Sequence, residues 1–88
     1  MFKVSINPEE SIYAEKDDER NLMMIRYTEL NVNDYFKKRG YMYISTIYEL
    51  LGVRWNPEWE NLCRIYKDGD RINFKVHKVE RGYEVYID

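Results

Sequence analysis

The sequence predicts an α+β domain. A long helix in the N-terminal half and a short helix pack on a small antiparallel sheet that ends in a three-stranded C-terminal meander. Three observations lead there. Apolar residues alternate with period two at both ends, in "FKVSI" and "YEVYID", as half-buried strands require. Between Asp17 and Gly40 they recur at helical spacing instead. The Asp-Gly pair in "KDGD" has the turn chemistry of a β-hairpin. Eighty-eight residues suffice for one core only, so residues 1–88 are read as a single domain.

The first strand, Phe2 to Ile6, puts Phe2, Val4 and Ile6 on one face, and Asn7-Pro8 ends it because proline lacks a donor. A loop containing Tyr13 follows. Asp17 or Asp18 offers an N-cap oxygen to a helix over Asp18 to Lys38, whose stripe is Leu22, Ile25, Val32 and Phe36. Lys37, Lys38 and Arg39 suit its negative end, and Gly40 stops it. "LNVND" is its weakest stretch, since two Asn and a Val are poor helix formers. Tyr41 to Ile44 reads as an aromatic strand. Ser45 caps a short helix from Thr46 to Leu51, closed by Gly52. A type I′ turn at Asp68-Gly69 would pair Ile65 with Ile72 and Cys63 with Phe74, turning Cys63 toward the core. A second turn near Arg81-Gly82 leaves Val76, Val85 and Ile87 on the same inner face.

With 44% hydrophobic and 34% charged residues, the chain is neither a disordered nor a membrane-embedded type. No secretory leader and no span of ~20 apolar residues is evident. A single cysteine, Cys63, excludes an internal disulfide, and a reducing cytoplasm is the expected location. Charge is polarised beneath the net −2. Six acids face two bases over residues 9–20, and six bases face three acids over residues 64–81. The near-neutral sum disfavours generic nucleic-acid binding.

Catalytic and metal chemistry find little support. His77 is the only histidine; it falls opposite Glu84 on the outer sheet face, with no nucleophile beside it. One His and one inward Cys make no zinc site, the acidic segment lacks calcium-loop spacing, and no glycine motif cradles phosphate. The expectation is a non-enzyme without metal or cofactor.

Three surfaces carry the binding candidates. Trp55 and Trp59 flank Asn56-Pro57, and with Tyr41 and Tyr43 they would form an aromatic partner site; their ordinary role would be to seal the core. The acids Glu9, Glu10, Glu15, Asp17 and Asp18 could imitate phosphates toward a basic groove, or simply be solvated helix-start charge. Arg64, Tyr66, Arg71, Lys75, His77 and Tyr86 would interleave bases and aromatics on the outer sheet face, a pattern suited to nucleotides or nucleic acid. Glu60, Glu84 and Asp88 share that face and oppose the reading.

"VNDYFKKRGYMYISTIYELLG", Val32 to Gly52, together with Asp68-Gly69-Asp70, resembles a family of small uncharacterised proteins of phages and integrated mobile elements of Gram-positive bacteria. Members show a helix ending in Gly, an aromatic strand, a short "YE-LG" helix and a hairpin with an Asp-Gly-Asp-like turn. The likeness covers roughly residues 17 to 88, rests on packing and turn residues, and carries over no catalytic or binding residue. The chain departs from the pattern at Trp55-Asn56-Pro57-Glu58-Trp59, where a Gly-rich segment is usual, and at Asn73, where Asp is common. The resemblance implies a phage or mobile-element interaction protein, monomeric or a small homo-oligomer. It would bind a host or phage protein, and inhibition of a host nucleic-acid-targeting defence enzyme is one such role. The alternatives are a nucleotide- or nucleic-acid-binding protein and a phage structural or assembly component.

Overall fold

The computed structural model describes residues 2–54, 57 and 61–88. The chain runs β1 (Phe2–Ile6), α1 (Asp18–Arg39), β2 (Tyr41–Tyr43), α2 (Ile44–Leu51), β3 (Cys63–Ile65), β4 (Phe74–Lys78) and β5 (Tyr83–Ile87). The α+β class expected from the sequence is what the chain adopts. Its strands form a three-stranded antiparallel sheet in the order β1-β5-β4 and a separate antiparallel ribbon of β2 and β3.

Helix α1 begins and ends where its local chemistry dictates. Asp17 Oδ1 accepts the amides of Glu19 (2.9 Å) and Arg20 (3.3 Å), relieving two of the orphan donors at the N-terminus. At the other end Gly40 sits in the left-handed region and its amide donates to the Phe36 carbonyl at 2.9 Å. Ile25, Val32 and Phe36 from its inner side join Val4, Ile6, Phe74, Val85 and Ile87 of the sheet in one core, with Ile44, Ile47, Tyr48 and Leu51 of the short helix.

β4 and β5 pair as their alternation requires, with Phe74 opposite Ile87, Val76 opposite Val85 and His77 opposite Glu84. β1 adds to the far edge of β5. The expected three-stranded C-terminal meander lacks its first strand: β3 pairs with β2 instead, matching Tyr41 with Ile65 and Tyr43 with Cys63. Lys67 to Asp70 do form a closed turn, but no ladder links Ile65 to Ile72. The reason is that side chains of α1 already hold the outward backbone groups of Ile72 and Phe74, where the pairing would begin. Asn33 Oδ1 accepts the Ile72 amide at 2.7 Å and its Nδ2 donates to the Ile72 carbonyl at 2.8 Å. Glu29 Oε2 accepts the Phe74 amide at 2.7 Å, and Arg26 donates to the Phe74 carbonyl at 3.1 Å. Side chains from one helix face thus stand in for a neighbouring strand at Ile72 and Phe74, covering the start of an edge that would otherwise invite pairing.

Ser45 is not a cap: α2 starts at Ile44 with Tyr43 in the N-cap position and no side-chain cap bond, and the Ile44 amide donates to the Leu62 carbonyl at 3.0 Å. Cys63 is exposed instead of turned to the core, because the β2–β3 register reverses the side chains of β3.

The loop before α1 is stitched down by polar side chains, of which Ser11 and Asn21 are buried. Asn7 Oδ1 accepts the amides of Glu9 and Glu10, making an Asx turn. Ser11 Oγ donates to the Leu51 carbonyl at 2.7 Å, and Asn21 pairs with both backbone groups of Glu15 at 2.7 and 2.8 Å.

Burial pushes the Tyr48 hydroxyl from 10.0 up to about 12. The unfolded chain ionises this group near its ordinary value while the folded chain keeps it neutral. Stability should therefore be intact below pH ~10 and fall by about 2–3 kcal/mol as pH rises to ~12. Urea unfolding across that window should show the loss in the wild type and little of it in Tyr48→Phe. Equal slopes in the two proteins would refute the assignment.

Candidate interaction surface

The ribbon β2–β3 divides its side chains between two faces. Met42 and Arg64 lie on the inner one: Met42 is buried, and the Arg64 guanidinium stands 5.6 Å from the centre of the Phe36 ring. Arg64 Nη1 also donates to the Asp88 carbonyl at 2.7 Å, joining the ribbon to the end of β5. Tyr66 follows it inward and meets Phe36 edge-on at 5.2 Å. The outer face carries Tyr41, Tyr43, Cys63 and Ile65, all exposed. The two tyrosine rings meet edge to face at 5.7 Å, and Ile65 is 62% exposed beside them. Two rigid aromatics and a β-branched side chain in one cross-strand block form a surface of the kind that anchors protein partners.

Behind the ribbon, Ile44 and Ile47 of α2, Phe2 and Ile87 of the sheet, and Leu62 enclose an apolar recess of about 280 Å³. The other half of the expected aromatic site, Trp55 and Trp59, lies outside the described residues, so only Tyr41 and Tyr43 are placed, and they are placed together.

Glu9, Glu15 and Asp18 border one recess with Arg81 and Lys16, but the acidic candidates are engaged by local partners. Glu9 pairs with Arg81 at 2.7 Å, Asp18 with Lys78 at 3.2 Å, and Glu15 with Arg20 at 3.4 Å, while Asp17 caps α1. Glu10 is exposed next to the Asx turn. The first two pairs, with the Tyr83 hydroxyl donating to the Asp18 carbonyl at 3.2 Å, tie the loop and helix start to the β4–β5 turn. Each exposed pair contributes no more than about 1 kcal/mol.

The basic–aromatic face is brought together only in part. Lys75, His77 and Tyr86 share the outer sheet face; Arg64 and Tyr66 belong to the ribbon's inner side, and Arg71 is exposed in the segment before β4. Across the three strands the rows read Lys3-Tyr86-Lys75 and Ser5-Glu84-His77. The Tyr86 hydroxyl donates to Glu84 Oε2 at 3.0 Å, Lys3 Nζ stands 3.4 Å from Glu84 Oε1, and His77 meets the Tyr86 ring edge-on at 5.4 Å. A carboxylate at the centre of this face repels phosphate and neutralises its nearest cation. Ser5 lies in the same row as His77, but with Glu84 between them. Two inter-strand steps of about 4.8 Å each keep the hydroxyl beyond hydrogen-bond reach of the imidazole.

What sequence reasoning missed is the outward turn of Cys63 and Ile65 and the load carried by Arg26, Glu29 and Asn33. No local signal marks these, since both depend on which strand edge is available. Among the described residues, no cluster of three or more His, Cys, Asp or Glu is placed to hold a metal ion, and no helix is long and apolar enough to cross a membrane. No family model, curated protein or solved structure matches the chain.

Proposed function

We propose that the chain is a non-enzymatic protein-interaction module whose partner surface is the outer face of the β2–β3 ribbon. The observation that supports this reading is the exposed block of Tyr41, Tyr43, Cys63 and Ile65, held rigid from behind by Met42, Arg64 and Phe36. A surface that serves only solubility is expected to be charged or broken by polar residues along such a ribbon. The resemblance of Val32 to Gly52 to phage and mobile-element proteins makes a host nucleic-acid-targeting defence enzyme the first partner class to screen.

The test compares capture of host proteins by the wild type and by a Tyr41→Ser/Tyr43→Ser variant with unchanged thermal unfolding. A specific partner retained by the wild type and weakened at least about tenfold in the variant supports the site, as loss of two aromatic anchors should do. A specific partner held equally by both removes the ribbon from the interface.

A further inference from the structure

The back of α1 carries a second surface. Arg20, Met23, Tyr27, Leu30 and Asp34 follow one another at spacings of three, four, three and four residues, the a/d seam of a coiled coil. On the helix these positions fall within one arc of about 80°, opposite the buried stripe of Ile25, Val32 and Phe36. Met23, Tyr27 and Leu30 are 70%, 67% and 61% exposed, although nothing in the packing of the domain requires them to be apolar.

The order of residues along the seam says what it fits. Tyr27 is central; Met23 and Leu30 flank it, and Arg20 and Asp34 lie seven residues away on opposite sides, with opposite charge. Beyond them the acids Asp17, Asp18 and Glu19 occupy one end of the helix and Lys37, Lys38 and Arg39 the other. Such a seam is complementary to itself turned end for end. We infer that α1 is the interface of an antiparallel, two-fold homodimer, with the axis passing near Tyr27.

That arrangement sets Arg20 of each chain against Asp34 of its partner, packs Met23 against Leu30, and brings the acidic start of each helix to the basic end of the other. The two helix dipoles then also run in opposition, which favours the pair. A two-fold interface repeats every contact, so both charge pairs form at once. In the single chain Arg20 sits near Glu15 and Asp17, and Asp34 near Lys38, in exposed pairs that cost little to exchange. Three large apolar side chains per chain over a helix of 22 residues make a small interface, of the transient class. This surface is separate from the β2–β3 ribbon, so the inference stands whether or not the ribbon binds a protein.

Sedimentation equilibrium tests it. The average mass should rise from 10.9 kDa toward twice that value as concentration increases to about 0.5 mM, a range that reveals even a Kd of about 100 µM. Added salt should weaken the association. Asp34→Arg alone should raise the Kd by about tenfold or more, and adding Arg20→Asp in the same chain should restore it to within about threefold of wild type. Both changes place charge favourably on the helix dipole, so the fold is retained. Tyr27→Lys should give a monomer with unchanged helix content. A monomeric wild type throughout, a dimer that survives Tyr27→Lys, or a double variant no tighter than Asp34→Arg would each overturn the inference.

Discussion

Asn33→Leu is expected to destabilise the domain by about 3–5 kcal/mol, although it puts a better helix former into a helix. The native amide makes three backbone hydrogen bonds: from the Ile72 amide at 2.7 Å, to the Ile72 carbonyl at 2.8 Å and to the Glu29 carbonyl at 2.9 Å. Ile72 is almost fully buried, so removing the amide strands both of its backbone groups away from water. Each orphaned group costs about 1–3 kcal/mol, against a gain in helix propensity of about 0.5 kcal/mol. Leucine has the branched outline of asparagine and is the larger of the two, so the loss does not report a cavity. Asn33→Asp keeps the acceptor but turns a second oxygen toward the Ile72 and Glu29 carbonyls, so it should also destabilise the domain. Urea unfolding measures all three, and a loss below about 1 kcal/mol for Asn33→Leu would show that this contact does not hold the edge. For a domain whose whole stability is of the order of 5–10 kcal/mol, the expected change approaches global unfolding.

The same residue explains where the sequence was legible and where it was not. Asp17, Gly40 and the Lys37–Arg39 cluster act within one turn of themselves, so the limits of α1 can be read locally, and the structure places them within one residue of expectation. The β4–β5 register is likewise set by alternation and a short turn. The partner of β3 is a different kind of question. Asp68-Gly69 has hairpin chemistry, yet a hairpin needs a free edge, and that edge is held by Glu29 and Asn33, some 40 residues earlier. In the sequence Asn33 counts only as a poor helix former, because propensity records what a residue costs locally and not what it bonds to at a distance. The site was legible to the same degree. Tyr41 and Tyr43 fall on one face by period two, whereas their neighbours Cys63 and Ile65 join them only through the strand exchange. His77 opposite Glu84 was readable from the β4–β5 register, while Arg64 and Tyr66, assigned to that face on the hairpin assumption, turned inward with β3.

Gly82→Ala should cost about 3–5 kcal/mol, while Gly69→Ala, at nearly the same backbone angle, should cost only about 1–2 kcal/mol. Both glycines sit in turns with φ near +80°, 79° at Gly82 and 84° at Gly69, so both substitutions carry the left-handed penalty of an L side chain. They differ in what a methyl group would meet. At Gly69 there is nothing within 4 Å. At Gly82 the new carbon would fall on the carbonyl oxygen of Ile6, with Asn7 Cβ at 3.2 Å. Ile6 is fully buried and closes the β1 ladder opposite Tyr83, so this carbonyl cannot swing aside as a flexible side chain would. Admitting the methyl requires β1 to separate from β5 or the turn to rearrange. Amide exchange of β1 and β5 should therefore accelerate in Gly82→Ala well beyond β4, and in Gly69→Ala it should not. Equal destabilisation by the two substitutions would mean that backbone angle alone is responsible and that the close approach of the turn to β1 plays no part.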